Sequence, residues 1–178
     1  PDGSATPAFG HFIGGLQAYI GDMTLIFQPT VNSYRRFAPG TFAPPGLTWG
    51  FENRTSMVRV IGGGGAASSV SATRLELRQT GADINPYIAM ATSLGAGLHG
   101  IEQSLALPPE TRGDASSQGR QVPPTLEHAV DALRNSDRAK QILGEAFVDH
   151  YVRTRDCEAR EYRKAVSGWE LKRYFEAV

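Results

Sequence analysis

The chain holds a single cysteine, Cys157, among its 178 residues. No intrachain disulfide can form, and a reducing compartment, the cytoplasm, is expected. Neither sign of charge is in excess, since eighteen basic residues face eighteen acidic ones. A protein that grips nucleic acid through its phosphates carries a basic surplus, so no nucleic-acid partner is expected. No apolar run approaches the roughly 20 residues needed to cross a bilayer. Phe9 to Phe27 comes nearest, and His11, Gln17 and Asp22 interrupt it. No signal peptide is visible, and no membrane partner is expected. The glycine run Gly62–Gly65 is not followed by the Gly-Lys-Ser/Thr of a phosphate-cradling loop, so it reads as a flexible link. His11, His99, His128 and His150 fall on predicted helices at no metal-ligand spacing, and structural roles are expected for them. Cys157, placed mid-helix among charges, is expected to be inert. The chain opens on Pro1 rather than methionine, in a Gly/Pro/Ala stretch leading straight into an apolar helix. We expect it to be part of a longer polypeptide, although 178 residues suffice for one domain with a real core.

What the chain does have is a concentration of arginine. Arg35, Arg36, Arg54, Arg59, Arg74 and Arg78 fall between residues 31 and 78, a window without lysine whose acids are Glu52 and Glu76. Arginine without lysine points to planar, bidentate recognition of carboxylate or phosphate. Within the window, Arg74-Leu75-Glu76-Leu77-Arg78 alternates charge and leucine. In a strand this sends Leu75 and Leu77 to one face and the three charges to the other, roughly 7 Å apart. That spacing suits a carboxylate holding a cation between two guanidinium groups that hold anions. The alternative is a solvated strand face carrying weak surface ion pairs.

Around this segment the pattern predicts an α+β fold: a helix, then antiparallel strands, then mostly helices. Residues 8–27 carry Phe9, Phe12, Ile13, Leu16 and Ile20 at helical spacing. Gln28 to Pro45 reads as a proline-punctuated loop. Ser56 to Ile61 alternates as a strand, with Met57, Arg59 and Ile61 on one side. Asn85-Pro86 is a helix start. Beyond it Ile88, Ala91, Leu94, Leu98, Ile101 and Leu105 form an apolar stripe, with Ala89, Ala96, Gly97 and Gly100 opposite. Close packing on several sides is expected of that helix. Residues 107–124 read as a loop, and helices are predicted from Thr125, from Ser136 and from about Gly144 to Val166. Asp149/Arg153 and Asp156/Arg160 are i,i+4 pairs on a solvated face. Ser167-Gly168-Trp169-Glu170 fits a capping box for a last short helix.

Several blocks, in order and in register, resemble the glutamine synthetase superfamily. They are Asn32-Ser33-Tyr34-Arg35-Arg36 with Pro39-Gly40, Asn53-Arg54-Thr55 with Arg59, Arg74–Arg78, and Asn85-Pro86-Tyr87. The terminal Trp169-Glu170 block resembles the gamma-glutamyl-polyamine and related amide-forming branches. The resemblance covers residues 1–178 but matches only the C-terminal portion of the catalytic domain, with the N-terminal domain and the first part of the catalytic domain absent.

The resemblance implies an ATP-dependent reaction. The gamma-carboxylate of glutamate takes a phosphoryl group, and an amine then displaces phosphate from the acyl phosphate. It implies that Arg36 and Arg78 hold the carboxylates of glutamate, and that Arg54, Arg59 and Arg74 bind ATP phosphates. Arg54 and Arg59 would stabilise the phosphoryl group in transfer. Glu76 would be a ligand of a divalent cation, Mg2+ or Mn2+. It also implies a homo-oligomer of double-ring, dodecameric form. The chemistry agrees with the residue types, because phosphoryl transfer needs positioning and charge neutralisation rather than a side-chain nucleophile.

One departure bears on the acceptor. Ammonia-using members carry a glutamate in a Pro-Gly-Tyr-Glu-Ala-Pro loop. Here the loop reads Pro39-Gly40-Thr41-Phe42-Ala43-Pro44, which removes a cation-binding carboxylate and adds an apolar wall. The expected acceptor is therefore an organic amine with a hydrocarbon part, bound near Phe42. The alternatives are an ammonia-using glutamine synthetase, with another carboxylate doing the work, and a catalytically inactive structural relative. With the family's N-terminal domain missing, the segment alone is expected to have no ligase activity.

Overall fold

The computed structural model describes residues 6–38, 41, 43–62 and 73–177. Helix α1, Pro7–Tyr19, begins where Thr6 Oγ1 accepts from the Phe9 amide and Pro7 occupies the first helical turn. The predicted 8–27 helix is broken, because the chain turns at Gly21-Asp22 before a short second helix, α2, Thr24–Phe27. Every residue of α2 is buried. A single-turn 3-10 segment follows at Ser33–Arg36 within the predicted loop.

Helix α3, Pro86–Glu102, is capped as expected: Asn85 Oδ1 accepts from the amides of Tyr87 and Ile88, with Pro86 next. Its packing differs from the expectation. The small face, Ala89, Ala96, Gly97 and Gly100, is the buried one. Leu94 and Leu98 from the large apolar stripe stand about half exposed, at 53 and 54 %. The cause is the approach of α1. A Cβ on Gly15 would lie 2.2 Å from the Ala96 carbonyl oxygen, and one on Gly100 would lie 2.5 Å from Gly15 Cα. Phe12 lies flat over Gly97, where a Cβ would come within 2.4 Å of the ring. At Gly15, Gly97 and Gly100 the contact leaves no room for a side chain of any size, so the leucines face outward.

Two small sheets complete the α+β fold. Strands β1, Gly46–Leu47, and β5, Arg120–Gln121, pair antiparallel. The other sheet has the order β2-β3-β4: Trp49–Phe51, Val58–Ile61 and Arg74–Leu77. The β3–β4 pair is antiparallel as expected, with Arg59 opposite Glu76 and Ile61 opposite Arg74. The β2–β3 pair is parallel. A parallel return normally needs a long crossover, but strands of three and four residues are only about 10–13 Å long, and a six-residue loop can span that distance. The sequence did not reveal β1, β2 or β5, because two or three residues are too few to show a period of two. Met57 is fully buried with Val58 and Val60 rather than sharing the partly exposed side of Arg59 and Ile61. The link 63–72 lies outside the described residues.

The C-terminal third comprises α4 (Leu126–Asn135), α5 (Asp137–Leu143), α6 (Glu145–Lys164) and α7 (Gly168–Tyr174). Thr125 and Ser136 cap α4 and α5, and the Ser167/Glu170 capping box opens α7. On α6, Asp156 pairs with Arg160, whereas no ion pair joins Asp149 to Arg153, both of which are exposed. Cys157 is exposed on the same helix. The core runs from α1 and α2 through the β2–β3 face to Leu126, Leu133, Val148 and Val152. None of the helices among the described residues is long and apolar enough to cross a membrane.

One core contact fixes the end of β4. Gln28 Nε2 donates to the Gln79 carbonyl (3.1 Å), and Gln79 Nε2 donates to Thr24 Oγ1 (2.7 Å). Both glutamines are fully buried. The residue after Arg78 is thereby tied to α2.

Candidate active site

The β3–β4 register sets Arg59 against Glu76 on one face, while Val58 and Val60 enter the core behind. Leu75 and Leu77 pack on that core. Arg59 Nη1 donates to Glu76 Oε2 at 3.1 Å, and Arg78 Nη1 donates to Glu76 Oε1 at 2.5 Å. Arg78 lies just past β4, its amide bonded to the Met57 carbonyl at 2.8 Å. Both guanidinium side chains are largely sheltered, 16 and 12 % exposed. Glu76 is thus held between two arginines, Arg78 just past its own strand and Arg59 across from the neighbouring one.

A second carboxylate, to which sequence reasoning gave no role, extends this row. Glu52 follows β2 in the left-handed region, φ 50°. Its Oε2 receives Arg59 Nη2 at 2.5 Å, and its Oε1 accepts from the Gly62 amide at 3.3 Å. The Arg59 hydrogen bond and then the Gly62 amide hold the Glu52 carboxyl below its ordinary value. The same bond raises the Arg59 guanidinium above its own, so Arg59 stays charged throughout. Among the described residues its buried Nε has no hydrogen-bond partner, an unmet donor of the kind that is costly to bury. The one signal for Glu52 in the sequence was that it is the only acid besides Glu76 in the arginine window.

Arg36 reaches the same neighbourhood from the 3-10 segment. Its Nη1 donates to the Thr80 carbonyl at 2.6 Å and the Gln79 carbonyl at 3.3 Å, directly beyond Arg78. The segment is braced by Asp83, whose Oδ2 accepts from Thr30 Oγ1 and Ser33 Oγ at 2.6 and 2.7 Å. Partial burial pushes the Asp83 carboxyl up, and these hydroxyl bonds outweigh that and bring it below its ordinary value. Arg54 sits exposed on the turn after Glu52, lining an open groove of about 750 Å³ with Glu52, Glu110 and Arg112. Arg74 is exposed at the far end of β4, opposite Ile61. Phe42 lies outside the described residues. Ion pairs therefore join Glu52, Arg59, Glu76 and Arg78 in one row, with Arg36 bonded to the backbone just beyond Arg78 and Arg74 on the same sheet. Arg54 stands two residues past Glu52, with no bond to the row among the described residues.

The residues present do not complete a divalent-cation site. Both Glu76 oxygens are engaged by arginines, and no cluster of three or more His, Cys, Asp or Glu side chains able to hold a metal occurs among the described residues. Three of the histidines make other contacts. His11 Nδ1 is 2.7 Å from the Leu105 carbonyl oxygen, the His99 ring meets that of Tyr19 at a tilt of 54° beside Arg138, and His128 bonds Thr125.

Comparison with known proteins decides the family. The model for "Glutamine synthetase, catalytic domain" matches residues 1–174. The chain belongs to the glutamine synthetase family. It is 40% identical over 177 residues to gamma-glutamylethanolamide synthetase GlnA4 of Streptomyces coelicolor, covering 99% of this chain and 37% of that protein. It is also 40% identical over 176 residues to type-1 glutamine synthetase 2 of Dictyostelium discoideum, covering 96% and 33% respectively. Among solved structures it superposes on GmaS without ligand with a TM-score of 0.82 at 30% identity, covering 99% of this chain and 40% of that one. The GmaS/ADP complex gives 0.80 at 32% identity, covering 96% and 40%. The chain thus spans between a third and two fifths of the length of these relatives.

Proposed function

We propose that this chain is the C-terminal portion of a glutamine-synthetase-type catalytic domain. In the complete protein it would serve an ATP-dependent ligase joining the gamma-carboxylate of glutamate to an organic amine through gamma-glutamyl phosphate. The observation that carries this reading is the row of paired guanidinium and carboxylate groups from Glu52 through Arg59 and Glu76 to Arg78. Such a row neutralises negative charge at fixed positions, which is most of what phosphoryl transfer asks of a protein. Arg36 and Arg78 would hold the carboxylates of glutamate. Arg59, with its unpartnered Nε, would meet phosphoryl oxygens together with Arg54 and Arg74. Glu76 would give one carboxylate to a divalent cation, Mg2+ or Mn2+, whose remaining ligands lie elsewhere in the complete protein. A cytoplasmic homo-oligomer belongs to the same reading.

The organic acceptor rests on Phe42 in place of the family's loop glutamate, and the ethanolamide synthetase among the relatives supports it. The Dictyostelium glutamine synthetase matches at the same identity and supports the ammonia-using alternative. Turnover of the complete protein with ammonium, isopropylamine, ethanolamine, putrescine and an aromatic amine separates the two. At least one amine is expected to exceed ammonium in kcat/KM. If ammonium is preferred over every amine, the organic acceptor is wrong. Residues 1–178 by themselves are expected to form no amide from glutamate, ATP and amine, and product from the purified chain would overturn that.

A further inference from the structure

Arg54 presents a structural problem. It is exposed, and its side chain makes no hydrogen bond or ion pair among the described residues. The turn that carries it separates two open grooves. Asn53 and Arg54 line the one of about 750 Å³. Thr55 lines the other, of about 560 Å³, with Phe37, Pro44 and Asp114. A partition with solvent on both sides has little packing to hold it still.

It is held by hydrogen bonds to a strap some sixty residues downstream. The Asn53 side chain uses its full capacity of two donors and two acceptor positions. Nδ2 donates to the carbonyls of Thr111 and Gly113, each at 3.0 Å. Oδ1 accepts from the Thr55 amide at 2.9 Å and the Thr55 hydroxyl at 2.7 Å. Thr55 Oγ1 in turn accepts from the Ala115 amide at 2.9 Å. Asn53 and Thr55 thus close a tight side-chain turn around Arg54, and both are bonded to the strap.

The strap is itself anchored in the core. Trp49, nearly buried, donates Nε1 to the Pro108 carbonyl at 2.8 Å, and the Thr111 amide donates to the Trp49 carbonyl at 2.9 Å. The Phe51 amide donates to Glu110 Oε1 at 3.2 Å. Gly50 lets the strap come this near, since a Cβ there would lie 2.7 Å from the Thr111 carbonyl oxygen. Gly113 supplies the positive φ, 73°, that turns its carbonyl back to Asn53. A continuous path therefore runs from Trp49 through residues 108–115 to the two side chains flanking Arg54.

We propose that Asn53 and Thr55 are positioning residues, which clamp the Arg54 turn to the 108–115 strap and so fix the Arg54 guanidinium for phosphoryl transfer. The proposal rests on the role given to Arg54 under the proposed function. A displacement of about 1 Å at such a group can cost on the order of a hundredfold in rate, and an exposed turn cut loose from its strap would move at least that far.

The test uses the complete protein with glutamate, ATP and hydroxylamine. Hydroxylamine captures an acyl phosphate as the hydroxamate whatever the natural amine. Asn53→Ala and Thr55→Val are each expected to lower kcat about tenfold or more while the KM for glutamate stays within about twofold. Thr55→Ser, which keeps the hydroxyl, is expected to return most of the rate. In an Arg54→Ala background, Asn53→Ala should add less than about a twofold further loss, because it acts through Arg54. Full kcat in Asn53→Ala and Thr55→Val beside a crippled Arg54→Ala overturns the clamp and leaves the reading of the site standing. A further loss in the Arg54→Ala background as large as in the wild type also overturns the clamp. Full kcat in Arg54→Ala, or no hydroxamate from the wild type, overturns both.

Discussion

Arg59→Ala in the complete protein is expected to lower kcat by at least about a hundredfold, which is the scale on which a fixed charge-stabilising donor contributes to such chemistry. Arg59 is the hinge of the site. It bonds Glu52 with one nitrogen and Glu76 with another, and its buried Nε has no acceptor among the described residues. Removing it takes a cation from phosphoryl oxygens and also leaves two carboxylates near each other with nothing between them. The conservative change separates these effects. Arg59→Lys keeps a charge but cannot bond two carboxylates and a third acceptor from one planar group, so its rate should lie between wild type and alanine. Steady-state rates with glutamate, ATP and hydroxylamine are the measurement. A kcat within twofold of wild type in Arg59→Ala would remove the proposed role of the whole row.

This row was partly legible in the sequence. The alternation of Arg74–Arg78 gave the strand and its two faces. It could not give the partner across the sheet, because register between β3 and β4 depends on two separate strands meeting, and nothing local encodes that Arg59 stands opposite Glu76. Glu52 was missed for a related reason. Its place comes from a parallel β2–β3 pairing between strands too short to leave a periodic trace, and from a left-handed backbone at a residue that is not glycine. The helix caps at Asn85, Thr125, Ser136 and Ser167 were readable because capping is a local exchange between one side chain and amides two or three residues on. Close packing of α3 on several sides was expected, whereas its small face is the buried one and Leu94 and Leu98 stand about half exposed. The glycines that decide this matter only in combination with the glycines of α1.

That pairing yields the largest expected change in stability. Gly100→Val should destabilise the protein by about 3 kcal/mol or more, at or beyond the upper end of what overpacking a core usually costs. A Cβ on Gly100 meets the His11 carbonyl oxygen at 2.4 Å and the Gly15 amide nitrogen and Cα at 2.6 and 2.5 Å. All are backbone atoms and none can swing aside as a side-chain tip would. The two helices must separate, uncovering Ile13, Leu16 and Ala96 along the crossing. Gly168→Ala is the control, because nothing lies within 4 Å of a Cβ there, and it should leave the melting temperature unchanged. At about 2–4 °C per kcal/mol for a domain near this size, Gly100→Val should lower the Tm by about 10 °C or fail to accumulate as soluble protein. A Tm within 2 °C of wild type would mean that α1 and α3 do not cross at these glycines. The effect should reach the site as well. His11 of α1 holds the Leu105 carbonyl and Leu107 packs beside Gly10, just ahead of the strap at 108–115. Parting the helices would therefore shift the strap, and any folded Gly100→Val protein should lose kcat in the same sense as Asn53→Ala.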